Sequence, residues 1–127
     1  MSLVETKKLV KQFDVTKQTI ALDLDGTLCP HEWIDEVTIV DPFIGALDFV
    51  TSLASKYNVV IFSARATNLR GKIAIGQWLV THELSQFVTD ITNRKDYNFY
   101  RFIDDRAIVF REPNDYNSIL KELDCAS

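Results

Sequence analysis

Short apolar runs alternate with longer amphipathic stretches along the chain. Ile20-Ala21-Leu22 with Leu24 is the first run and Val59-Val60-Ile61-Phe62 the second. Less regular runs follow over 87–91, 100–103 and 107–110. Runs this short, bounded by turn residues, read as buried strands of a parallel sheet. The expected strands are therefore 19–24, 59–62, 87–91, 100–103 and 107–110. Between them the apolar period changes to that of a helix. Asp41-Pro42 predicts a helix start, with Asp as the cap and Pro at the first helical position. That helix is expected to reach Lys56 with Phe43, Leu47, Val50 and Leu53 on one face. Thr67 or Asn68 can cap a second helix that reaches His82. It carries Ile73, Gln77 and Val80 in one register, with Leu69, Ile75 and Leu79 nearby. A closing helix is expected over 115–123. Near the start, Leu3, Thr6, Val10 and Phe13 have roughly helical spacing, so residues 1–18 read as an N-terminal arm or short helix packed on the sheet edge.

Strands alternating with helices imply βα units, right-handed crossovers and an α/β fold around a central, mainly parallel sheet. A length of 127 residues suits one domain spanning 1–127. Hydrophobic residues make up 46% and charged residues 25%, as in ordinary globular domains. The net charge of -4 argues against a general nucleic-acid-binding surface. It leaves open a nucleotide held through a metal. Cys29 and Cys125 have no metal-ligand spacing and form no disulfide framework. No apolar stretch approaches a membrane span, and the first 17 residues lack the apolar core of a signal peptide. The expected address is cytoplasmic.

Chemistry gathers at the strand exits, which in a parallel sheet share one edge. Asp23, Asp25 and Thr27 follow the first strand, Ser63 and Arg65 the second, and Asp104 and Asp105 the fourth. Lys95 lies in the loop before the fourth strand and can reach the same edge. An unpaired buried carboxylate is costly, so this many carboxylates calls for a counter-charge. Oxygen donors suit a hard divalent cation, and hydroxyls with cationic side chains suit phosphate. Arg65 and Arg106 can contact substrate or pair with Asp104 or Asp105. His31 and Trp33 lie just past the first strand, where packing of the connector is the plainer reading. Cys29 has no base beside it, and His82 sits at a helix end with a local role.

Asp23-Leu24-Asp25-Gly26-Thr27-Leu28 resembles the first motif of haloacid dehalogenase-like phosphatases. Ser63 resembles the second, Lys95 in Thr92-Asn93-Arg94-Lys95 the third, and Asp104-Asp105 the fourth. The order agrees over roughly four-fifths of the chain. The resemblance implies a three-layer, Rossmann-like sandwich with five central strands. It implies a magnesium-dependent phosphomonoester hydrolase, with a nucleotide or polynucleotide end as one form of substrate. Asp23 would be the nucleophile that forms an aspartyl-phosphate, and Asp25 the proton donor and then the base. Mg2+ would be held by Asp23, Asp25 through its carbonyl, Asp104 and Asp105. Substrate phosphate would meet Ser63, Ala64, Gly26, Thr27, Arg65 and Lys95. Arg94 and Lys72 are the neighbouring cations that compete with Lys95 for its role.

Many relatives carry a cap domain. Here 29–40 is too short for one, and 63–95 is filled by one helix and one strand. A capless chain is therefore expected, with an open site. A large substrate would supply its own cover, or a second copy of the chain would act as the lid. Two other readings stand beside hydrolysis: transfer of phosphate to an acceptor other than water, and a catalytically inactive binding or scaffold domain.

Overall fold

Residues 11–94, 99–104, 108–109, 113 and 115–125 are described by the computed structural model, with backbone alone at 101, 102, 104, 108 and 109. The strands are β1 (Thr19–Asp23), β2 (Asn58–Phe62), β3 (Val88–Thr92), β4 (Phe99–Asp104) and β5 (Ile108–Val109). They lie in the order β3-β2-β1-β4-β5, and every pairing is parallel. Four strands of five or six residues form the body of this sheet; β5 adds two residues at one edge. The central β1 is buried from Thr19 to Leu22, which explains its unbroken apolar run.

The helices are α1 (Ala46–Ala54), α2 (Leu69–Thr81) and α3 (Asp115–Glu122). The steps β1 to β2 and β2 to β3 run in the same direction, so right-handed crossovers put α1 and α2 on one face. Their apolar stripes join one core with Ile20, Leu22, Leu24, Val59 and Ile61. Helix α3 enters the same core through Tyr116, whose ring stacks on Phe49 of α1 at 4.3 Å between centroids. Ala21 and Val60 belong to the opposite face and are also buried. Among the described residues the architecture is a sheet with one helical layer. The third layer of the expected sandwich is not among them.

Several local expectations are corrected. The first helix does not begin at Asp41-Pro42. The Phe43 amide donates to Leu28 O at 2.8 Å, Gly45 takes a left-handed φ of 91°, and the helix starts after it. The tertiary tie of Phe43 outweighs the local capping signal, and only glycine takes that φ cheaply. The buried face of α1 is Ala46, Phe49, Val50, Leu53 and Ala54, and Leu47 lies outside it. Asn68 caps α2 by accepting from the Gly71 amide at 3.0 Å. The buried positions of α2 are Gly71, Ile75, Gly76, Trp78 and Leu79, rotated away from the Ile73–Gln77–Val80 register. The expected helix near the start falls mostly on residues 1–10, outside the described residues. Positions 11–13 are not helical, and the Lys11 amide donates to Val88 O of the edge strand β3. Asn58 secures this lead-in, accepting from the Asp14 amide and donating to Asp14 O and Lys17 O.

Candidate functional site

The register sets the geometry of the sheet edge. Asp23 pairs with Phe62, so Ser63 is the next residue beyond the neighbouring strand. On the other side Leu22 pairs with Ile103, so Asp23 and Asp104 are the next positions along two adjacent parallel strands. Adjacent strands run about 4.8 Å apart. The backbone therefore brings positions 23, 63 and 104 together from three separate segments. Asp105, Arg106, Lys95 and the side chain of Asp104 lie outside the described residues.

After β1 the chain makes a compact turn. The Thr27, Leu28 and Cys29 amides approach Leu24 O at 3.2, 3.0 and 3.3 Å, and the Gly26 amide donates to Cys29 O at 2.8 Å. Gly26 has φ 88°, the left-handed conformation that the turn requires. The amides of Gly26 and Thr27 are thus engaged inside the loop. Thr27 is almost wholly buried, and its carbonyl accepts from the Tyr116 hydroxyl at 2.5 Å. Gly26 and Thr27 thus shape the loop that leads out of β1. The Leu24 amide donates to Asp23 Oδ1 at 3.0 Å, which restrains the candidate nucleophile.

Ser63 is buried at the exit of β2. Its amide donates to Thr92 O at 2.9 Å, and its Oγ accepts from the Arg65 amide at 3.1 Å. The hydroxyl proton remains to donate. Ser63 thereby caps a 3-10 turn, Ala64–Thr67, that carries exposed Ala64 and buried Arg65.

Arg65 is the largest fully buried side chain of the described residues. Among the described residues its ion-pair partner is Asp25. Nε reaches Oδ2 at 2.9 Å and Nη2 reaches Oδ1 at 3.0 Å, a two-point fork. Nη1 donates to Asp35 O at 2.6 Å, and the guanidinium carbon lies 4.2 Å from the Trp33 ring centroid. Asp25 is 13% exposed and the Arg65 side chain 0%. One cation thus ties the loop after β1, the turn after β2 and the connector into one unit. The charges in the sequence did signal a pair, but Asp25 as its partner depends on a contact 40 residues distant along the chain.

The connector is anchored again at its middle. Asp35 accepts from the Val37 and Thr38 amides at 2.9 and 2.7 Å, which holds its carboxyl below the usual carboxylate range. Glu36 accepts from Asn68 Nδ2 at 2.8 Å and lies 3.6 Å from Arg70. Cys29 is buried, and burial, helped by the charge of Asp25, pushes its thiol up to about 12. It is a packed thiol rather than a nucleophile. His82 contacts Trp78 and Asp41 locally, away from the sheet edge.

Among the described residues no group of three or more His, Cys, Asp or Glu side chains is arranged to hold a metal ion. The set expected to do so includes Asp105 and the Asp104 side chain. The donors at hand, Asp23 and the adjacent position 104, are oxygen donors and suit a hard cation. No described helix is long and apolar enough to cross a membrane. A cavity of about 450 Å³ lies between α1 and α3 against Phe49, Tyr116 and Leu120, and Asp23, Asp25 and Ser63 take no part in it. Comparison of the chain with protein-family models, curated proteins and solved structures finds no match.

Proposed function

We propose that this chain is a capless, haloacid dehalogenase-like phosphomonoester hydrolase that uses magnesium and an aspartyl-phosphate. The observation that carries this reading is the strand register, which gathers positions 23, 63 and 104 at one sheet edge. Asp23 attacks phosphorus and the ester oxygen leaves. Asp25 gives that oxygen a proton, then takes one from the water that cleaves the aspartyl-phosphate. Arg65 positions Asp25. Its fork occupies two of the roughly four acceptor sites of the carboxylate, so others remain for the travelling proton. Ser63 donates its hydroxyl to a phosphoryl oxygen, and Lys95 offsets charge there. Bound magnesium, held by Asp23, the Asp25 carbonyl, Asp104 and Asp105, would neutralise charge as two anions approach.

The fork also favours a second reading. A carboxylate forked by a buried arginine is also what a non-catalytic scaffold would keep for stability. Release of phosphate from p-nitrophenyl phosphate and a panel of phosphate esters separates the two. Magnesium-dependent turnover that disappears in Asp23→Asn supports the hydrolase. No turnover on any ester, or turnover unchanged in Asp23→Asn, refutes it.

A further inference from the structure

We propose that the solvent face of Trp33 is a stacking platform for a nucleobase, which makes a nucleoside monophosphate the substrate class of the site. This rests on the hydrolase reading above. Trp33 is 54% exposed, so about half of its surface is open to a ligand. Its inner face lies against the Arg65 guanidinium, 4.2 Å from ring centroid to Cζ. That guanidinium is itself fixed by the fork to Asp25 and by the Asp35 carbonyl. The indole is therefore mounted on a buried, immobile cation, and one guanidinium separates it from the carboxyl assigned to protonate the leaving oxygen. On this proposal the phosphate of the ligand lies at Asp23 and its base on the indole.

The connector around the ring is preordered, so little entropy is lost in using it. Asp35 closes its own turn, and Glu36 is tied to Asn68 and Arg70. Its charges select among nucleotides. Glu32, Asp35 and Glu36 flank the ring in sequence, and an acidic strip repels a chain of phosphates. A single phosphate at the sheet edge avoids that strip, so a mononucleotide is favoured over an oligonucleotide end. Base stacking on an aromatic side chain contributes about 1–3 kcal/mol by alanine substitution, or roughly 5- to 150-fold.

The test compares kcat/KM on a nucleoside 5′-monophosphate and on ribose 5-phosphate, with magnesium, for wild type, Trp33→Ala and Trp33→Phe. Ribose 5-phosphate is the control because p-nitrophenyl phosphate could itself stack. Trp33→Ala is expected to lose at least fivefold on the nucleotide and less than twofold on ribose 5-phosphate. Trp33→Phe should recover most of that loss. Equal losses on both substrates mean that Trp33 only braces Arg65, and overturn the proposal, as does no loss on either. A wild-type preference for a phosphorylated oligonucleotide overturns the mononucleotide assignment. If wild type hydrolyses no phosphate ester, the hydrolase reading fails separately. Calorimetric titration with adenosine then decides the platform: weaker binding to Trp33→Ala sustains it, and equal or absent binding rejects it.

Discussion

Replacing Arg65 with alanine should be among the most damaging single changes in this chain. It deletes both N–H contacts to Asp25, at 2.9 and 3.0 Å, and leaves a carboxylate that is only 13% exposed without its counter-charge. Removing one partner of a buried ion pair costs about 3–5 kcal/mol. Asp25 keeps some access to water, which argues for the lower end. Loss of the guanidinium beneath Trp33 adds on the order of 1 kcal/mol. Asp35 O can bond water instead, so that contact contributes little. The expected loss is about 4 kcal/mol, a large share of the roughly 5–15 kcal/mol that holds a domain together. Urea unfolding should show it as a lower midpoint at unchanged slope, and heating as a fall on the order of 10 °C. Arg65→Lys retains charge but cannot form the fork, so it should fall between. Combining Arg65→Ala with Asp25→Asn should give less than the sum of the single losses, with a coupling of about 1.5 kcal/mol or more. A loss under about 1 kcal/mol, or additivity in the double variant, would show that the fork does not hold the site together.

Other consequences are as specific. A Cβ on Gly71 would stand 1.8 Å from Arg65 O, so Gly71→Ala must push the first turn of α2 away from the turn that carries Arg65. Alanine's helix preference returns up to about 1 kcal/mol, less than the clash takes, and a net loss of about 1–2 kcal/mol is expected by denaturant titration. Tyr116→Phe removes the buried bond to Thr27 O, at 2.5 Å, that ties α3 to the loop after β1. It should cost about 1–3 kcal/mol, and a change below about 0.5 kcal/mol would deny that tie. The Cys29 thiol, pushed up to about 12 from 9.0, is only about 10⁻⁴ ionised at pH 8. Iodoacetamide should therefore label native protein at Cys125 and spare Cys29 until denaturant is added, as peptide mass mapping would read. Because the folded state holds that proton more tightly than the unfolded one, the resulting stability is complete below pH 9 and declines as pH rises toward 12.

Local pattern decided much of this protein. Apolar runs predicted the parallel strands of the sheet, most plainly β1 and β2, at nearly their observed places, because a strand buried on both faces must be apolar throughout. Parallelism alone then sends Asp23, Ser63 and Asp104 to one edge, whatever the details of packing. Asn68 was legible as one of two candidate caps, with Thr67, because a cap acts over three residues. What the sequence could not determine depends on distant neighbours. The start of α1 was moved by a bond from Phe43 to Leu28, and the buried face of α2 was chosen by the core it meets. The bonds that the Gly26 and Thr27 amides make within the turn after β1 were likewise not legible in the sequence. The pairing of Arg65 with Asp25 joins the exits of two strands, and only folding the sheet brings those charges within 3 Å. Periods of two and 3.6 residues are written along the chain; the partner of a buried charge is set by three-dimensional packing.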